Sequence, residues 1–282
     1  MKSSGLPGAA MVENDGAAFL RAVGFALFLL VVFILSEVTS ALTVAMDSTT
    51  RALIGTGVFF GTYLLMYVAL VAFLRWENGG DITGLGLQFE KNTTSHLIVG
   101  LVAGSIGALL VYFFAMYFGG SLRPAADIDA DLIATEIMIT VPVALFEELS
   151  YRGYLMPRIE RLSSRTVAIL LTSIWFAVLH FGWWLPLGTV PWHLILIFNF
   201  NLFLGGVVLG MSYYLSGNRL WVPIAFHFAW NMIAFILFPV YPHDPVLMPE
   251  IFQIEWGITT IPGFILGLSL VWVLLQEIKN GK

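Results

Sequence analysis

The chain has 282 residues, of which 59% are hydrophobic and only 11% charged, where soluble domains carry about 25% charged residues, so the composition is that of a polytopic membrane protein. Its 13 Lys and Arg against 18 Asp and Glu leave no basic surface of the kind that binds nucleic acid. Cysteine is absent, which excludes disulfides, thiolate zinc sites and a cysteine nucleophile.

Residues 1–16 are small, polar and acidic and lack the basic start and cleavage pattern of a signal peptide. They are expected to form a mobile tail ahead of a single transmembrane domain over 17–282. A hydrocarbon core of roughly 30 Å needs about 20 apolar residues per crossing, and eight candidates follow: 19–46, 52–74, 96–118, 132–157, 166–183, 192–214, 221–240 and 257–277. None shows the dyad alternation of barrel strands, and backbone groups in lipid must be paired within the segment. The expected fold is therefore all-α, a membrane helical bundle with about eight transmembrane helices. The polar interruption at 76–96 is expected at the interface, and most tryptophans, including Trp183, Trp184, Trp192 and Trp221, fit interfacial belts. No internal repeat is evident, which counts against a secondary transporter.

Lys and Arg favour the cytoplasmic side. With the N-terminus inside, Lys2, Arg21, Arg75, Lys91, Arg152, Arg158, Arg161, Arg165, Arg219, Lys279 and Lys282 all fall inside, and only Arg51 and Arg123 fall outside. The outer segments carry acids: Asp127, Asp129 and Asp131 in one, Asp244, Glu250 and Glu255 in another. Both termini are expected to be cytoplasmic.

The fourth span contains FEELSYRGYL, residues 146–155. Each ionisable side chain in a span costs about 2.5–3.5 kcal/mol on insertion scales, so such groups face a cavity or one another. Similar places are His180 in FAVLHF, His227 and Asn231 in FHFAWN and, more weakly, His193 in PWHL. His227 and Asn231 are four apart and share a helix face. At a helical rise of about 1.5 Å per residue, Glu147 lies about 16 Å from Arg158, His180 about 22 Å from Arg165, and His227 and Asn231 about 12 and 18 Å from Arg219. These depths bring the four residues into one slab, expected to open to the cytoplasmic side. Glu148 and Arg152 have the spacing of an ion pair, which leaves Glu147 for the cavity. Gly153 is expected to allow close helix packing and Pro157 to bend the chain outward.

A carboxylate in an apolar cleft can act as a general base with a nearby imidazole sharing the proton. An imidazole and an amide on one face supply donors to an oxyanion. The set therefore reads as a hydrolytic site, with metal-activated and glutamate-activated water both open, since two histidines and a glutamate also ligate zinc.

The motifs EExxxR at Glu147, Glu148 and Arg152, FxxxH at Phe176 and His180, and HxxxN at His227 and Asn231, with the stretch 203–231, resemble the CAAX prenyl protease and bacteriocin-processing (ABI, CPBP) intramembrane proteases. The resemblance covers about 142–231. It implies a glutamate-dependent peptidase in which Glu147 and His180 activate water, His227 and Asn231 stabilise the oxyanion, and Glu148 and Arg152 shape the site. It further implies a peptide or lipidated protein C-terminus as substrate, delivered within the bilayer. No catalytic metal is expected, with zinc at Glu147, His180 and His227 as the alternative. A noncatalytic immunity or scaffold protein and a proton-coupled transporter are the rival classes.

Overall fold

In the computed structural model, which describes residues 15–77, 80–180 and 190–280, each expected span corresponds to a long helical stretch. The helices are α1 (Asp15–Thr43), α2 (Ser48–Trp76), α3 (Thr93–Phe118), α4 (Ala130–Glu148), α5 (Met156–Leu162), α6 (Arg165–Leu179), α7 (Trp192–Leu215), α8 (Trp221–Leu237), the short α9 (Pro249–Phe252) and α10 (Thr260–Asn280). All but the last two residues of the expected tail lie outside the described residues, as do Trp183, Trp184 and Lys282. Five helices, α1, α2, α3, α7 and α10, are individually long and apolar enough to cross a membrane, while α6 and α8 are shorter apolar helices.

Polar side chains start the helices where free backbone N–H groups need acceptors. Asp47 caps α2 through Thr50 N, Asp129 caps α4 through Leu132 N, and Ser164 caps α6 through Val167 N. The chain does not bend out of the bundle at Pro157. Instead α4 runs through a π-helical segment, Leu149–Leu155, directly into α5. Proline has no N–H to give to the carbonyl four residues back. Here the wider turn is already in place ahead of it, with Met156 N–H donating to Tyr151 O five residues earlier.

The closest packing in the bundle is around α3, which lies against α8 and α10. The hydrocarbon phase offers no hydrophobic force between helices, so small residues that let backbones approach govern the contact. A β-carbon on Gly100 would lie 2.4 Å from Val222 O, and one on Gly104 would lie 2.5 Å from Phe226 O. Farther along, Gly107 and Gly263 of α10 face each other with the same lack of space. On α7, Gly206 does this work against Ser173 of α6.

Ion pairs join the helix ends where the arginines gather. Glu77, just past α2, binds Arg158 of α5, accepts from the Tyr154 hydroxyl at 2.6 Å and lies 3.5 Å from Arg21 of α1. Arg219, in the turn before α8, pairs with Glu90 and Gln88 of the 76–96 segment. Arg123, expected at the other end, donates to the last carbonyls of α8, at Phe235, Ile236 and Phe238. The sequence's division of Lys and Arg between two ends is thus reproduced for these residues.

Two outcomes follow from these contacts. Replacing Gly104 with Val should lower the thermal midpoint in detergent by an amount corresponding to about 1–3 kcal/mol of overpacking, whereas Val at Gly55, which has nothing within 4 Å of its β-carbon position, should leave it unchanged. Burial raises the Glu77 carboxyl, but bonds from Arg158 and Tyr154 and the Arg158 and Arg21 charges outweigh it and hold Glu77 below its ordinary 4.5. A depressed folded-state pKa stabilises above the unfolded value and is lost on acidification. Melting curves recorded downward from pH 6 should therefore fall more steeply below about pH 4.5 for the wild type than for Glu77→Gln.

Candidate active site

Glu147 and Glu148 close α4 and are 2% and 0% exposed. Arg152, in the π-helical segment, is likewise fully buried. Its guanidinium donates to Glu148 Oε1 at 2.8 Å and to the Gly206 carbonyl of α7 at 3.1 Å. The expected ion pair is therefore present, and it also ties α4 to α7. The same Glu148 oxygen accepts from His227 Nδ1 of α8 at 3.0 Å, a contact the spacing did not reveal.

Glu147 faces the other way, as the turn of about 100° per residue requires. Its Oε1 lies 3.7 Å from His180 Nε2, and its Oε2 lies 4.0 Å from His227 Nε2. Both separations are too long for a direct hydrogen bond and short enough for one water to touch both partners. Among the described residues Glu147 Oε2 has no hydrogen-bond partner. The hydroxyl of Tyr63, buried on α2, also approaches this carboxylate.

His180 terminates α6, and its Nδ1 donates to Phe176 O at 2.8 Å. In a neutral ring that bond places the proton on Nδ1 and leaves the Nε2 lone pair aimed at Glu147. By the same logic His227, committed to Glu148 through Nδ1, donates through Nε2 only as an imidazolium. Asn231 lies on the same face of α8, and both His227 and Asn231 line a small cavity with Phe176, Trp230 and Glu255. Its volume of about 40 Å³ holds roughly one to three waters. Glu147, His180, His227, Glu148 and Arg152 thus form one connected group, with Asn231 beside His227. His193, at the start of α7, is exposed and belongs to none of this.

The arginine-rich end beneath the site is filled by Tyr151, Tyr154, Met156 and Leu220, all 0% exposed. The second cavity near the site, of about 190 Å³, is lined by 239–243 and 253–256 at the opposite end of α8 from Arg219. Charge bias reports which end is basic and carries no information about where the core is packed solid.

Glu255 was counted with the outer acids, yet it lines the site cavity and is close enough to His180, His227 and Glu147 to feel their charges. Its position comes from a loop fold ahead of α10, which hydropathy does not register. Among the described residues no three His, Asp or Glu side chains converge in a metal-ligating arrangement. No step below is routed through a metal.

No curated protein matches the chain at a significant level. Residues 130–233 match the family model described as Type II CAAX prenyl endopeptidase Rce1-like. The matched segment opens at α4 and closes just after Asn231, so it spans every residue of the buried group and its carbonyl partners on α6 and α7. Over these residues the chain is similar to the Rce1-like type II CAAX prenyl endopeptidases.

Proposed function

We propose that the protein hydrolyses a peptide bond near the C-terminus of a lipid-anchored substrate, with Glu147 as the general base. The observation that carries this reading is the placement of Glu147 between two imidazoles, 3.7 and 4.0 Å away, with one carboxylate oxygen unpartnered in a buried site. A water held there donates one proton towards Glu147 Oε1 and the other towards His180 Nε2. That arrangement leaves an oxygen lone pair free for the substrate carbonyl.

As the water oxygen bonds to the carbonyl carbon, Glu147 takes its proton. The oxyanion receives hydrogen bonds from the Asn231 amide and from His227 Nε2–H. When the carbon–nitrogen bond breaks, Glu147 returns the proton to the departing amine. Glu148 makes no contact with the reacting atoms in this scheme. It fixes the His227 ring and balances the charge of Arg152.

A groove of about 410 Å³ between α1 and α6, lined by Leu30, Phe33, Ile34 and Leu179, supports the lipid part of the reading. Phe33 also packs against His180, with ring centroids 5.9 Å apart. An acyl or prenyl chain lying in that groove stays in contact with the bilayer and brings its attached peptide to His180.

Cleavage of a farnesylated C-terminal peptide by the purified protein in detergent tests the proposal. Glu147→Gln should lower turnover by about a hundred- to ten-thousand-fold with an unchanged melting profile, and the wild-type rate should persist in chelator. Retained turnover in Glu147→Gln refutes the general-base role, and loss in chelator shifts water activation to a metal. Asn231→Ala should reduce kcat by about a hundred- to a thousand-fold, the usual effect of losing an oxyanion donor.

Glu148 separates structural from chemical roles. Glu148→Ala leaves the Arg152 charge buried without its counterion, a change that costs about 3–5 kcal/mol. Its melting midpoint should therefore drop sharply where that of Glu147→Gln does not.

A further inference from the structure

The segment between α9 and α10 is held in a conformation that the backbone does not adopt freely. Glu255 sits at φ 65°, in the left-handed region that side chains other than glycine and asparagine seldom occupy. Its neighbours Ile254 and Trp256 are buried. The loop is fastened from two directions. Asn201 of α7, itself 0% exposed, donates to Glu255 O at 2.8 Å and to Gly257 O at 3.0 Å, and Glu255 N donates to Thr260 Oγ1 at 2.9 Å. A strained residue persists only where its surroundings over-determine it, and such residues cluster at functional sites.

The strain has a visible result. Glu255 is the one residue, among those described, that lines both the small cavity beside His227 and Asn231 and the larger vestibule of 239–243 and 253–256. Its carboxylate is within electrostatic range of His180 and His227 on one side. Trp230, beside His227 and Asn231 in the small cavity, directs its buried indole N–H towards the Glu255 carboxyl. Among the described residues neither cavity has a Lys or Arg in its wall. The nearest arginine at this end, Arg123, is engaged by the carbonyls closing α8. A single carboxyl group therefore stands at the boundary, with the His180 and His227 imidazoles in electrostatic range and no Lys or Arg among the described wall residues.

We infer that Glu255 is a specificity-determining residue at the throat between vestibule and catalytic cavity, selecting peptide substrates that place a basic side chain there and rejecting those that place an acidic one. The inference rests on the peptidase reading and adds the substrate's charge preference to it. A carboxylate in a partly desolvated throat attracts an ammonium or guanidinium group and repels a second carboxylate, and like-charge juxtaposition is a strong means of rejecting wrong partners. Glu255 needs no part in bond making for this. Glu147 and the two histidines remain intact when it is changed.

The experiment uses the full chain in detergent and a set of farnesylated peptides that differ only by Lys or Glu at each position within three residues of the scissile bond. For the wild type, kcat/KM should favour Lys over Glu by roughly tenfold or more at one position, the scale of one charge contact in a binding site. Glu255→Gln should bring that ratio close to one at the same position, Glu255→Lys should invert it, and Glu255→Asp should largely restore it. Asn tolerates the left-handed backbone, so Glu255→Asn serves if the Gln variant melts early. A wild type that cleaves without any Lys preference overturns the assignment with no variant required, as does a preference that survives Glu255→Gln. In either case Glu147-dependent cleavage still stands. If no peptide is cleaved, or if Glu147→Gln cleaves normally, the peptidase reading itself fails and takes this inference with it.

Discussion

A single buried carboxylate holds the site together. Glu148 accepts from Arg152 of its own helix and from His227 of α8 through one oxygen. Arg152 in turn reaches the Gly206 carbonyl of α7 and lies 5.0 Å from the Phe176 ring of α6. Phe176 then fixes His180 through its carbonyl. Four helices are linked by this chain of contacts, and every polar group in it gains from the exclusion of water that surrounds it. A charged pair at this depth is a costly element on its own. Here its effect is to define where two imidazoles sit relative to Glu147, the quantity on which the proposed hydrolysis depends.

The small residues and the charged residues act as one system. Arg152 can donate to Gly206 O because α7 comes close to the π-helical segment, and Gly206 also lets α6 press its Ser173 against the α7 backbone. Gly100 and Gly104 place α8 against α3 at the level of Val222 and Phe226, just before His227. Bulk at any of these places would displace an imidazole by the distance that separates a working geometry from an idle one. The stability of the bundle and the accuracy of its chemistry thus rest on the same absent side chains.

What could be read from the residues divides along a physical line. Long apolar runs decide helices by themselves, so the spans were legible to within a few residues. The Glu148–Arg152 pair was legible because four residues bring two side chains onto one face. The meeting of Glu148 with His227 was not, because it depends on how α4 crosses α8, and that crossing is set by packing between segments distant in sequence. The π-helical segment differs from an α-helix by less than one residue per turn, and Pro157 was its only local trace. Glu255 was hidden for a different reason. Counting residues along helices gives depth, but a loop that folds back into the bundle escapes the count.

The filled end has its own consequence. An enzyme that brings water to the middle of a bilayer from one face thins the insulation between two compartments whose ion concentrations differ. Tyr151, Tyr154, Met156 and Leu220 are all fully buried between the carboxylates and the arginine-bearing end. Such a layer of rings and aliphatic chains is what lets a bundle carry buried charge without opening a path for ions.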